Sequence, residues 1–345
     1  MIRRVLALVL AAAFVTGCPK KDEVIIENAG GKPLTAADID QDPLALLPSG
    51  MVGLLAVDTQ RLFTSPFGQK LLTIVKARSP VPESAGFDPA RDLQRAYIGF
   101  YSLEGADIAA VATGTFDKEK IERAAENAPR TPLGVPVVKS SYAGRTQYTA
   151  NNIGFVVLTQ HTVLFGNETG MRRALDRIKE GRVARQVPQW LVELLEQPNA
   201  PVRGGVDLRA QPLSEAVRQQ AAFLNGLETT RLLGNFEDPG LNVAGTMTYG
   251  DAQGAQQGAA ALKELHQKLE SYGWMMALVG IQQPVKKLEV AVQDREAQFV
   301  AGIDGQAIGQ LLDKLTDLLA AMPQSALSPV PAPPPSAPLV PPGVP

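Results

Sequence analysis

One cysteine, Cys18, and two histidines, His161 and His266, stand in 345 residues. A single thiol closes no internal disulfide. Two imidazoles and one thiol also exclude a multi-histidine metal site. No block of lysine or arginine occurs: 33 basic residues face 35 acidic ones, a net charge of −2. Nucleic-acid phosphates need a concentrated basic face, so no nucleic-acid partner is expected. The Gly-x-Ser-x-Gly, Ser-x-x-Lys, His-Glu-x-x-His and Gly-x-Gly-x-x-Gly patterns and the phosphate loop are all missing. The sequence therefore indicates no catalytic residue, no cofactor-binding residue and no metal ligand, and reads as non-enzymatic. Long apolar runs are missing too. The longest near the start, Val5 to Phe14, has ten residues, against the roughly 20 that a membrane-crossing helix needs.

What is present begins with that run. Arg3 and Arg4 precede it and small residues follow, the pattern of a secretory signal. The next residues, Val15-Thr16-Gly17-Cys18, resemble the lipobox of bacterial lipoproteins. The resemblance covers residues 1–18. It implies lipid attachment at Cys18, palmitate among the acyl chains, and signal cleavage between Gly17 and Cys18. Two or three acyl chains hold a protein stably at a bilayer where one holds it only marginally. Cleavage removes Arg3 and Arg4, leaving 31 basic against 35 acidic residues, a charge of −4. Pro19, not aspartate, follows the cysteine; by the same resemblance this implies the outer membrane, facing the periplasm.

Composition divides the chain into a signal peptide (1–17), a lipid-anchored polar linker (18–47), two lobes (48–198 and 199–322) and a tail (323–345). The linker alternates Asp38, Asp40 and Asp42 like the start of a calcium loop. Pro43 and Ser49 stand where that loop needs glycine and glutamate, so an acidic, solvated tether is expected. The tail holds ten prolines in 23 residues, which admit neither helix nor central strand.

The lobes alternate strand-like and helix-like patterns in the same order. Ala56 to Leu62 faces Gly205 to Leu213, and Ala174 to Ile178 faces Leu311 to Leu315, at offsets of about 149 and 137 residues. The last helix is strongly periodic, with Ile308, Leu311, Leu312, Leu315, Leu318 and Leu319 on one face. Strands arriving in hairpins between single helices predict an α+β fold: two tandem, similar lobes of mixed or antiparallel sheet, with helices packed on one face. The order of parts is similar to a family of exported bacterial proteins of uncharacterised function, whose units open with a Leu-Pro…Val-Asp…Leu segment and later carry Gly-Thr-Phe-Asp. Here these are Leu47-Pro48, Val57-Asp58 and Leu62, then Gly114-Thr115-Phe116-Asp117. That resemblance implies a fold and no activity.

Other features have ordinary readings. His266 and Glu270, at i and i+4, predict a weak surface contact, and His161 a turn. Gly250, Gly254 and Gly258 predict a smooth stripe where a helix start lies close to its sheet. Arg172-Arg173 and Lys286-Lys287 predict solvated faces. The expected role is non-catalytic binding or scaffolding at the cell envelope, through an envelope protein or a wall polymer. The alternative is a periplasmic carrier or chaperone for an apolar ligand. A hydrolase would need Asp58, His161 or His266 beside a serine.

Overall fold

The computed structural model describes residues 34–78, 81–102, 107–132, 134–197, 199–209, 211–273 and 282–310. The signal with Gly17 and Cys18, the tether to residue 33, Met276, residues 311–322 and the proline-rich tail lie outside them.

A continuous apolar run, Gly53 to Val57, shapes the first strand, β1 (Gly53–Asp58). Its Leu54 and Ala56 enter one core, while Leu55 and Val57 point to the opposite side, as successive strand residues must. The others are β2 (Leu93–Ser102), β3 (Asp107–Gly114), β4 (Val138–Tyr142), β5 (Arg145–Ala150), β6 (Ile153–Val157) and β7 (Thr162–Asn167), followed by β8 (Val202–Asp207), β9 (Leu227–Asn235), β10 (Gly240–Tyr249), β11 (Val285–Gln293) and β12 (Glu296–Asp304). They form one antiparallel sheet in the order β11-β12-β10-β9-β8-β1-β2-β3-β7-β6-β5-β4. Outward from β1 the chain order is β2, β3, β7, β6; outward from β8 it is β9, β10, β12, β11. The halves meet where β1 pairs with β8, Leu55 opposite Gly204. The first half adds the β5–β4 hairpin at its outer edge.

The helices are α1 (Ala36–Gln41), α2 (Thr59–Thr64), α3 (Pro66–Arg78), α4 (Pro89–Asp92), α5 (Lys118–Asn127), α6 (Glu168–Lys179), α7 (Gln189–Leu195), α8 (Glu215–Gln220) and α9 (Ala252–Ser271). A further helix opens at residue 305. On the front of the first half, α6 buries Met171, Ala174, Leu175 and Ile178 against Ala109, Val111, Val156 and Leu164. On the back, Ile121, Ala124 and Ala125 of α5 meet Tyr148, Phe155 and Val157. Phe155, Val156 and Val157 are consecutive, so these two cores lie on opposite faces. In the second half Ala255 and Ala259 of α9 cover the back, over Met247, Tyr249 and Ala297.

The α+β class with antiparallel sheet is as expected. Two details differ. The lobes share one sheet, because β1 and β8 pair along their lengths and each supplies an edge for the other. Helices lie on both faces of the first half, because strands β6 and β7 are apolar on both sides.

Residues 34–47, expected as the end of the tether, are built into the front core. Ile39, Leu44, Leu46 and Leu47 are buried there. Arg177, itself only 5% exposed, donates to the carbonyls of Ala45 (3.2 Å) and Ala184 (2.8 Å) and to Gln186 Oε1 (2.8 Å). Burial holds its guanidinium below the ordinary pKa. Tyr101 pins the next residues, its hydroxyl donating to the Pro48 carbonyl at 2.9 Å.

Candidate binding surface

Among the described residues, the front of the second half is left open. Strands β9, β10, β12 and β11 floor a trough of about 560 Å³. Their front-facing residues include Arg231, Leu233, Ala244, Val300 and Glu289, and Leu194 of α7 forms the inner wall. Val300 is 44% exposed, and Ala244, Ala291, Gln298 and Glu289 are exposed too. The corresponding floor of the first half is sealed: Ala109, Val111 and Leu164 are 0% exposed and Val156 is 1% exposed beneath α6. The same sheet face is thus core in one half and surface in the other.

The inner wall is built on glycine. A Cβ at Gly205 would stand 2.6 Å from Cζ3 of Trp190, so the bare backbone is what lets this indole lie on β8. Arg231, opposite Gly205 in the ladder, places its guanidinium 5.2 Å from the Trp190 ring centre. A cation over an indole face is attracted by the ring quadrupole. The trough offers an aliphatic strip with a cation at one flank and the Glu289 carboxylate at the other. Such a surface suits an amphipathic segment.

The residues singled out in the sequence fall elsewhere. Gly17 and Cys18 lie outside the described residues. Each acidic residue of the calcium-like run has a structural partner. Asp38 forms a capping box with Thr35. Asp40 accepts from the hydroxyls of Thr159 (2.5 Å) and Thr162 (2.6 Å). Asp42 pairs with Arg185 at 2.7 Å. Among the described residues no group of three His, Cys, Asp or Glu is arranged to hold a metal ion.

Asp58 caps α2, accepting the Arg61 N–H at 2.9 Å. His161 places Nδ1 3.2 Å from the Gly114 carbonyl, and His266 sits 3.8 Å from Glu270. Each is held by its own neighbours. Arg172 and Arg173 are more engaged than a solvated face requires. Arg172 pairs with Glu168 and Arg173 with Asp107, and the two lie 5.0 and 4.3 Å from the ring centres of Tyr142 and Tyr101. Lys286 and Lys287 pair with Asp304 and Glu289. Trp190, Leu194 and Arg231 were not legible as a site. The Gly204-Gly205 pair inside a strand was the available signal of a close approach.

Among the described residues no helix is long and apolar enough to cross a membrane. No family model and no curated protein matches the chain. Among solved structures it is similar to crystal structures of TP0453. Crystal form I has a TM-score of 0.48 at 12% identity, covering 79% of this chain and 97% of that one. Form III gives 0.47 at 11%, covering 81% and 98%. Form IV gives 0.46 at 12%, covering 79% and 96%.

Proposed function

We propose that this chain is a lipid-anchored protein of the bacterial cell envelope that works by non-catalytic binding, and that the trough on β9–β12 is its binding surface. The observation that carries the reading is the contrast between the halves: equivalent sheet faces, one buried under α6 and one left as an exposed aliphatic strip between Arg231 and Glu289. Exposed apolar sheet is costly in water unless something uses it. The lipobox-like residues 15–18 support an anchor at Cys18, palmitate included, and Pro19 supports the outer membrane with the body in the periplasm. The repeated strand order supports an internal duplication in which the second copy has been given over to binding. A trough open along its length and charged at both flanks suits a segment of an envelope protein or wall polymer better than an enclosed apolar cargo.

Two measurements test the two parts. Growth with a palmitate analogue followed by membrane fractionation should label the parent and leave Cys18→Ala unlabelled and released from membranes. Equal membrane retention of the two removes the anchor. A photoreactive residue at Ala291 should capture one discrete partner in cells, where the same residue at Val138, exposed on β4, captures none. Capture of the same neighbours from both positions removes the binding surface.

A further inference from the structure

We infer that the chain pairs with a second copy of itself along β11, extending the antiparallel sheet through a two-fold axis. This goes beyond the binding role proposed above and does not depend on it.

Strand β11 ends the sheet, and among the described residues no strand lies beyond it. An edge strand presents a row of unpaired N–H and C=O groups, which proteins blunt with short strands, prolines, charges or bulges. The opposite edge is blunted in this way, since β4 has five residues, Val-Lys-Ser-Ser-Tyr. Strand β11 is nine residues long and holds neither proline nor glycine. Its one irregularity is at Lys286, and from Lys287 to Gln293 its ladder with β12 is regular. Within that regular run Val292 is exposed.

The side chains of this edge select one alignment with a second copy. A two-fold axis perpendicular to the sheet sets front residues opposite front residues and back opposite back, so it passes through a residue. An axis through Val290 lays the regular run on itself. On the back, Val290 then meets Val290 of the copy, and Leu288 meets Val292 on both sides of the axis. On the front, Glu289 meets Ala291 and Lys287 meets Gln293. At each end of the seam Lys286 comes against Asp294 of the copy, a basic strand start against an acidic turn. An axis through Glu289 would set that carboxylate against its own copy, and an axis through Ala291 would set Lys287 against Arg295. Like charges directly opposite are unfavourable, so both neighbouring alignments are penalised.

The layers admit the pairing. Paired strands lie about 4.8 Å apart, and α9 lies over β11 and β12. The two copies of α9 then pass at about 10 Å or more, the spacing of packed helices or wider. Both fronts face the same way, so the two troughs share one floor across the seam.

The test uses the full chain in a Cys18→Ala background, which has no other thiol. Sedimentation equilibrium from micromolar to near-millimolar chain should show monomer passing to dimer. Ala291 is exposed and faces Glu289 of the copy, so one position can be driven both ways. Ala291→Lys should tighten the dimer and Ala291→Glu loosen it, leaving the two at least about tenfold apart. Val290→Cys should form a disulfide with its own copy, because opposite Cα atoms stand about 4.5–5.5 Å apart, within disulfide reach. Val292→Cys should not link to itself across about 14 Å of strand, but should link to Leu288→Cys when the two variants are mixed. Val138→Cys, exposed on the other edge, should stay unlinked. Capture from Ala291 in cells keeps the two proposals apart: a product of twice the chain's mass is the second copy, and a product of another mass is the binding partner. A monomer at every concentration, equal association of Ala291→Lys and Ala291→Glu, or linking of Val138→Cys or Val292→Cys to itself as readily as Val290→Cys overturns the pairing.

Discussion

Gly258→Ala is the most direct probe of how α9 sits on the sheet. In an isolated helix the change is favourable by about 1 kcal/mol, since alanine has the best helix propensity and glycine a poor one. Here the new Cβ would stand 2.1 Å from Tyr249 Oη and 2.3 Å from its Cζ. Tyr249 is fully buried, and its hydroxyl donates to the Phe223 carbonyl at 2.8 Å, so the ring has nowhere cheap to go. Overpacking of a fixed core costs about 1–3 kcal/mol, and straining the buried hydrogen bond adds about 1 kcal/mol. The net expectation is a loss of about 1–3 kcal/mol. Gly254→Ala meets its nearest atoms at 3.3 Å and Gly250→Ala at 3.7 Å, so the first should be near neutral and the second silent. Urea unfolding of the three variants reads the series. Adding Tyr249→Phe to Gly258→Ala should recover only part of the loss, because the hydroxyl contact is gone while the ring Cζ would still stand 2.3 Å from the new Cβ. A Gly258→Ala protein as stable as the parent would falsify the close approach of α9.

Two further outcomes follow from buried polar groups. Arg177→Met should destabilise by about 2–4 kcal/mol, because the carbonyls of Ala45 and Ala184 lose a charged donor inside the core; limited proteolysis should then cut first within residues 34–47, and a variant as resistant as the parent refutes the pinning role. Stability should also fall as pH rises past 10. Burial pushes the Tyr249 phenol up to about 12 and raises those of Tyr101 and Tyr148 as well. The unfolded chain therefore releases these protons first and is favoured between the two values, by about 2–3 kcal/mol for Tyr249 alone. Phenolate absorbance should rise together with unfolding; ionisation of all six tyrosines near pH 10 in a folded protein contradicts the burial.

The sequence displayed elements where local pattern and tertiary need agree. The β11–β12 hairpin turns at Asp294-Arg295, with Gln293 opposite Glu296, because two polar residues interrupt a clear alternation. The glycine stripe announced a close helix approach, and Gly258 against Tyr249 is that approach. The elements that stayed hidden lack such agreement. Strand β9, Leu-Glu-Thr-Thr-Arg-Leu-Leu-Gly-Asn, has no clean period of two, because its front faces the trough and its back faces core only in part. Strand β4, Val-Lys-Ser-Ser-Tyr, is a polar edge that pairs on one side only. The short α7 gives Leu194 to the trough wall and sets Trp190 beneath Arg231, two residues too few to show a helical stripe. The acidic run misled for a different reason. Alternating aspartates look solvated in sequence, yet Asp40 and Asp42 reach Thr159, Thr162 and Arg185, partners more than a hundred residues away. Composition cannot reveal a contact of that span. The candidate surface was illegible on the same ground: it exists because one sheet face lacks among the described residues the cover its counterpart has, and a missing cover leaves a mark only where two halves can be laid side by side.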